Sequence, residues 1–397
     1  MSERFDTLFA GMSEESALDL IQQDPSELAN PGLKYLAASR LGACSSKESL
    51  QTLINVAWST NDNLFERITR RKALEALGRR KDATAIPALI HALDDSDEPT
   101  VVNAADAITR IHAPLDEQQK CALLRALSGP DNQRRAVIQT FTRLQLVDRG
   151  DAISRCQHDS NPLVAGAARA YSIRVLHKRD GLDALLGQLT DENPGRRRAA
   201  VIDLGDARAI EALPALIRCP VSMPLRAKSA FQISSDSSGE LLPSSTALLE
   251  QLLMDDPRQL HLDGIANTAS TPEAIRTDLQ HRDEARQYSA ARALMTLASE
   301  QQLNLIDDLR ISLGSDYGVH YLLANCTGLL GLTQRAELVR DALAETGPQY
   351  AKSRIAAAWS CLHLSLSDQR DLINELSCSH GWLPLRWSCA QVLKKMQ

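Results

Sequence analysis

Pro99-Thr100-Val101-Val102-Asn103-Ala104-Ala105 is the stretch from which the rest of the chain can be read. Proline suits the first position of a helix, where its missing N–H has no intrahelical partner to lose. The Val/Ala run behind it supplies a small apolar face. The arrangement returns at Pro130, Pro162, Pro194 and Pro224, at intervals of 31, 32, 32 and 30 residues. Each proline stands beside acidic, Asn, Gly or Ser residues and opens an Ala/Val-rich run, as in Ala136-Val137-Ile138, Val164-Ala165-Gly166-Ala167-Ala168 and Ala199-Ala200-Val201. A second apolar run accompanies the first: Ile86-Pro87-Ala88-Leu89-Ile90, Ala122-Leu123-Leu124-Arg125-Ala126-Leu127, Leu182-Asp183-Ala184-Leu185-Leu186 and Leu213-Pro214-Ala215-Leu216-Ile217.

Two helices per ~30 residues, repeated in register, predict an all-α, HEAT-like α-solenoid of stacked helix pairs. No β-pattern competes. Glycines after leucine, at Gly42, Gly78 and Gly205, are expected to close first helices through left-handed caps. Residues 1–30 read as an N-terminal helical cap and 31–233 as the repeat solenoid. The register fails at Ser234-Ser235-Asp236-Ser237-Ser238-Gly239, a polar run that cannot pack an apolar face, so a loop or domain seam is expected there. Residues 246–397 then read as less regular C-terminal helical repeats.

Composition narrows the function. Hydrophobic content of 44% and charged content of 24% are those of a soluble folded protein, and the 397 residues exceed one ordinary core. A net charge of −6 argues against a general polyanion binder. No apolar run reaches the ~20 residues of a membrane span, so no membrane insertion is expected. The acidic start, Met1-Ser2-Glu3-Arg4-Phe5-Asp6, lacks a signal-peptide core and points to the cytoplasm. The eight cysteines form no Cys-x-x-Cys pair and are expected reduced and buried. Cys361-Leu362-His363 and Cys378-Ser379-His380 lack the ligand spacing of a zinc site, so no metal is expected.

Motifs exclude the familiar enzymes. His281-Arg282-Asp283 resembles a kinase catalytic triplet, but Tyr288 stands where the motif needs Asn, and no glycine-rich phosphate loop precedes it. Arg71, Arg135 and Arg198 occupy similar places in successive first helices. They can bond neighbouring units, with Asp203 and Asp206 as nearby candidates, or form a cationic face for carboxylates, phosphates or an acidic partner.

What remains is an uneven distribution of rings. Aromatic residues make up 4% of the chain, yet Tyr288, Tyr317, Tyr321, Tyr350, Trp359, Trp382 and Trp387 all lie in its last part. In Ser315-Asp316-Tyr317-Gly318-Val319-His320-Tyr321, a cap at Ser315 or Asp316 would place Tyr317, His320 and Tyr321 at i, i+3 and i+4 on one helix face. That face either packs into the next repeat or holds a flat, conjugated ligand. Three polar-tipped rings are costly as plain core unless each tip finds a partner. Arg286 and Tyr288 precede this face by one helix pair, and Arg354 with Trp359 follow it by one.

Longer stretches carry a resemblance over nearly the whole chain. They are Phe5–Ser13 with Glu14-Glu15, Ile68-Thr69-Arg70-Arg71-Lys72-Ala73 through Gly78-Arg79-Arg80-Lys81, Gly129-Pro130-Asp131-Asn132-Gln133, and Gly195-Arg196-Arg197-Arg198 through Gly205-Asp206. They continue in Gln280-His281-Arg282-Asp283-Glu284-Ala285-Arg286-Gln287-Tyr288, Ser315-Asp316-Tyr317, Lys352-Ser353-Arg354-Ile355-Ala356-Ala357-Ala358-Trp359 and Trp382-Leu383-Pro384-Leu385-Arg386-Trp387. These resemble the E/F-type bilin lyases of cyanobacteria, which attach linear tetrapyrroles to phycobiliproteins of the phycobilisome. Within that family the chain is most similar to the branch acting on phycoerythrin α-subunits, which holds both phycoerythrobilin lyases and lyase-isomerases.

The resemblance implies phycoerythrobilin as substrate, no cofactor, and a phycoerythrin α-subunit as acceptor partner. Asp316 would be the counter-ion of the pyrrole N–H groups and Tyr317 the proton donor as the acceptor's cysteine adds to the A-ring ethylidene. Arg286, Tyr288, His320, Tyr321, Arg354, Trp359 and Trp387 would line the bilin-binding groove. The lyase-isomerase variant would also convert phycoerythrobilin to phycourobilin. A HEAT-like nucleic-acid-binding protein, or a non-enzymatic scaffold for a bilin or subunit, are the alternatives of another class. The charge weighs against nucleic acid.

Overall fold

The prolines act as helix starters. Pro99, Pro162, Pro194 and Pro224 lie in the first turns of helices, and Pro130 stands immediately before one. The computed structural model describes residues 11–266 and 271–396. Residues 1–10, which carry the start of the expected N-terminal cap and most of the Phe5–Ser13 motif, lie outside the described residues. Among the described residues the fold is helical throughout, with a single isolated bridge between Ser235 and Leu241. None of these helices is long and apolar enough to cross a membrane.

The chain divides into two compact units, one ending at Arg179 and the other beginning at Asp180. The first holds α1 (Glu14–Gln22), α2 (Leu33–Leu41), α3 (Lys47–Trp58), α4 (Leu64–Arg80), α5 (Ile86–His91), α6 (Glu98–Ile111), α7 (Glu117–Arg125), α8 (Asp131–Arg143), α9 (Ala152–Arg155) and α10 (Pro162–Val175). The second begins with α11 (Leu182–Gln188), α12 (Pro194–Ala207), α13 (Leu213–Leu216), α14 (Met223–Ser234), α15 (Thr246–Met254) and α16 (Pro272–Leu279). It continues with α17 (Glu284–Thr296), α18 (Ser299–Leu313), α19 (Tyr317–Leu329), α20 (Ala336–Ala344), α21 (Ala351–His363), α22 (Arg370–Ser379) and α23 (Leu383–Lys395).

This division differs from the one expected at residues 234–245. The polar run there folds on itself: Asp236 Oδ1 accepts from the N–H groups of Ser238 at 2.8 Å and Glu240 at 3.0 Å, and the Ser235–Leu241 bridge closes the turn. Because α14 and α15 on either side pack together, the run breaks the repeat register without separating domains.

In the first unit α2, α4, α6, α8 and α10 pack in sequence order, each on the next. Arginines tie successive repeats. Arg71 Nε donates to Asp97 at 2.7 Å, and Asp97 also caps α6 through the Thr100 N–H at 3.0 Å. Arg134 reaches Asp159 at 2.8 Å, and Arg135 donates to the carbonyl of Leu163.

The glycines work differently from the expected caps. Gly78 lies inside α4 and Gly205 inside α12, while Gly42 ends α2 in right-handed geometry. Lys81 and Arg208 take the left-handed positions instead. A Cβ on Gly78 would meet the Ala107 Cα at 2.9 Å, and one on Gly205 the Ser229 Cβ at 2.8 Å. These glycines let neighbouring first helices touch backbone to backbone, a demand that outranks capping.

The second unit does not simply stack. Helix α15 packs on α14, α21 and α23, and α23 in turn returns to α14. Trp387 of α23 meets Phe231 of α14 edge to face, with centroids 5.8 Å apart. From α12, Arg197 donates to Asp283 and Arg198 to Glu284 at 2.6 Å, at the head of α17. Helices far apart in sequence are thereby drawn around the end of α15.

Candidate functional site

Asp316 starts α19. Its Oδ1 accepts from the Gly318 N–H at 2.8 Å and the Val319 N–H at 3.0 Å, two groups that otherwise lack an intrahelical partner. Tyr317 follows as one of the large exposed side chains, 49% accessible. It stacks edge to face on Tyr350, centroids 5.1 Å apart, and His320 lies 4.8 Å from the same ring. Tyr350 sits immediately before α21, so the heads of α19 and α21 jointly present three rings. His320 Nδ1 is 3.0 Å from Ser353 Oγ. Burial holds the His320 imidazole below its usual range, favouring the neutral ring.

One turn further, Tyr321 points inward. Its hydroxyl donates to Asp255 Oδ2, the same oxygen that accepts from Tyr288 at 2.6 Å. Arg226 Nη2 donates to Asp255 Oδ1 at 2.5 Å and to the Tyr288 hydroxyl at 3.0 Å. Its Nη1 and Nε donate to the carbonyls of Ile217 at 2.6 Å and Val221 at 2.9 Å. Asp255 ends α15 in a left-handed conformation, φ 47°, which aspartate tolerates better than most residues. Burial opposes the charge on Arg226, but Asp255 outweighs it and holds the guanidinium protonated. Burial, reinforced by Asp255, drives both tyrosine hydroxyls far above their ordinary range, so they keep their protons at neutral pH. The arrangement satisfies a buried charge pair with carbonyls and phenols, the condition under which such a pair is tolerated.

Between this network and the surface is a cleft of about 20 Å³ lined by Met223, Pro224, Glu284, Gln287, Tyr288, Tyr321 and Lys352, among others. Segments 284–288 and 317–321 therefore meet at one place. Gln287 approaches Gly318 so closely that an added Cβ would lie 3.8 Å from its amide nitrogen. Lys352 places its ammonium 5.1 Å over the Tyr321 ring.

The remaining candidates go elsewhere. Arg286 turns to Asp278 of α16, and its side chain is 42% exposed. Tyr288 and Tyr321 are core residues, only 3% and 4% exposed, whose small accessible part faces the cleft just described. Trp359 is buried within α21, its indole N–H meeting no acceptor among the described residues. Arg354 is buried on the same helix, and Trp387 packs against Phe231. Asp283 of the kinase-like triplet caps α17, its own N–H donating to His281 Nδ1 at 3.0 Å.

Asp255, Arg226 and Lys352 are not among the residues that the sequence singles out. Asp255 carries no motif, because its importance comes from partners 29 to 66 residues away. Lys352 opens the Lys352–Trp359 stretch, where nothing local sets it apart from an ordinary surface lysine.

Comparisons with known proteins agree with this architecture. HEAT repeats match residues 18–108 and 65–141. The chain is 27% identical over 362 residues to phycocyanin operon protein Y of Pseudanabaena tenuis, covering 90% of this chain and 86% of the relative. It is 24% identical over 368 residues to the bilin biosynthesis protein CpeY of a Synechococcus, covering 90% and 88%. Over nearly its whole length the chain is thus similar to proteins of the E/F-type bilin lyase family. In the solved complex of CpcE and CpcF of phycocyanin lyase from Nostoc, a chain shares the fold with a TM-score of 0.52 at 19% identity, over 61% of this chain and 94% of that one.

The cysteines are all free, four of them buried, whereas Cys121 and Cys378 are exposed against expectation. Burial pushes the thiols of Cys326, Cys361 and Cys389 up to about 12, which removes them as nucleophiles at neutral pH. No group of three or more His, Cys, Asp or Glu side chains suited to a metal occurs among the described residues.

Proposed function

We propose that this chain is a bilin lyase-isomerase of the cytoplasm. It joins phycoerythrobilin through a thioether to a cysteine of a phycoerythrin α-subunit and converts it to phycourobilin. The observation that carries the reading is the exposed Asp316–Tyr317 tip, flanked by Tyr350 and His320. A flat conjugated chain stacks on such rings. Asp316 uses Oδ1 for its helix cap, and Oδ2 is engaged by no described residue. That oxygen is the counter-ion for the pyrrole N–H groups and keeps the bilin in its electrophilic, protonated form.

The acceptor's thiolate forms the C–S bond at the A-ring ethylidene, and the proton added to the ring comes from Tyr317. Isomerisation adds a proton at the A–B methine bridge and removes one from the A ring, shifting a double bond without any change of oxidation state. A phenol over that ring shuttles both protons. The buried state of several of the protein's own thiols supports a nucleophile supplied by the acceptor.

Co-production with phycoerythrobilin and the α-subunit tests this. A product absorbing in the phycourobilin band is expected. An adduct with an unchanged phycoerythrobilin spectrum reduces the function to ligation alone, and the absence of any coloured adduct removes the reading.

A further inference from the structure

We infer that Lys352 anchors a ligand carboxylate in the cleft below the ring patch, a bilin propionate under the reading above, on which this inference rests. The charges around Lys352 are already committed. Asp255 is held by Arg226 and two phenols and Glu284 by Arg198, while Asp316 gives Oδ1 to two backbone N–H groups and, under the reading above, Oδ2 to the pyrrole N–H groups. Lys352, half-buried above the Tyr321 ring, donates to no acceptor among the described residues. A cation drawn away from water without a hydrogen-bond partner is unfavourable, and burial accordingly lowers its proton affinity.

The cleft that Lys352 shares is shaped for a small anion. Its volume of about 20 Å³ admits one water-sized polar group, too little for a pyrrole ring but enough for one oxygen of a carboxylate. One wall is the N-terminal turn of α14, where Ser222 makes no side-chain cap and the helix dipole presents its positive end. The exposed ring of Tyr317 and the half-buried ring of Tyr350 stand at the heads of the two helices that supply Tyr321 and Lys352. A tetrapyrrole lying on those rings has its propionates on flexible two-carbon arms, one of which reaches down to the ammonium. Lys352 thus fixes which part of the chromophore lies over Tyr317, a positioning role distinct from proton transfer.

Phycoerythrobilin and its dimethyl ester separate this role from general packing. Equilibrium titrations of the full-length protein, read by bilin absorbance, are expected to show about 10- to 100-fold tighter binding of the free acid, the worth of one charge-assisted hydrogen bond. Lys352→Met should bring the two forms within about twofold of each other, mainly by weakening the acid, and Lys352→Arg should retain part of the preference. Equal binding of acid and ester by the wild type overturns the anchor, as does an undiminished preference in Lys352→Met. Either leaves bilin binding itself standing. Failure of the wild type to bind either form overturns the lyase reading together with the anchor. The wild-type ratio requires no variant to fold, and an unchanged melting temperature of Lys352→Met certifies the second arm.

Discussion

In the first unit Arg71 reaches 26 residues along the chain to Asp97 and Arg134 reaches 25 to Asp159. In the second, Arg198 reaches 86 residues to Glu284 and Arg226 reaches 62 to Tyr288. The same residue type serves a ladder in both regions, since Arg310 reaches 31 residues to Asp341 and Arg340 reaches 28 to Asp368, but only in the second does it also make a long-range closure among the described residues. Ladder contacts repeat with the sequence period, so each repeat finds its partner in the next. Closure contacts do not repeat. They draw α14, α17 and α19 onto Asp255 at the end of α15, and the heads of α17, α19 and α21 meet above it. The first unit is built by periodicity, whereas the second adds to its periodic rungs one buried carboxylate on which distant helices close.

Removing that carboxylate is the strongest way to break the contrast. Asp255→Ala leaves the Arg226 guanidinium buried without its partner and should destabilise the second unit by about 3–5 kcal/mol, measured by urea unfolding. Joint replacement of Arg226 by Met and Asp255 by Leu should cost much less. In the first unit, Asp97→Ala removes one rung and one helix cap and should cost about 1–2 kcal/mol.

Acid sharpens the same comparison. Arg71 beside Asp97 holds its carboxyl at about 2 against an ordinary 3.8. The folded chain is therefore the poorer proton binder there. Asp97 contributes its stability above the ordinary value, and that contribution disappears as the pH falls through about 2. Urea midpoints of wild type and Asp97→Asn should accordingly converge on acidification.

The smallest effect concerns glycine. Gly187 lies within α11, and a Cβ added there would meet nothing within 4 Å, in contrast to Gly78 against Ala107. Gly187→Ala should stabilise by about 0.5–1 kcal/mol, whereas Gly78→Ala should lower the melting temperature by forcing α4 and α6 apart.

The ladder is legible in the sequence because proline and alanine mark each repeat locally. Asp316 and Tyr317 are legible because a cap and an i, i+3, i+4 face are also local. Tyr288 and Tyr321 stand out for their polar-tipped rings, and the structure supplies the partner that such rings require: Asp255 accepts both hydroxyls. Residue type flags them, but only the fold tells an inward face from an outward one. Gly78 and Gly205 mislead for a related reason, since a close helix crossing and a helix cap both call for a missing side chain. The polar run at 234–239 likewise reads the same whether it separates domains or turns within one.

The most direct measurement is single-turnover attachment of phycoerythrobilin to the phycoerythrin α-subunit by Tyr317→Phe. Removing the hydroxyl keeps the ring on Tyr350 and leaves the Asp255 network untouched, so helical circular dichroism should match the wild type. The expected result is a loss of about 100-fold or more in attachment rate, the scale of a positioned proton donor. A wild-type rate in that variant would contradict the placement of the chemistry at the head of α19.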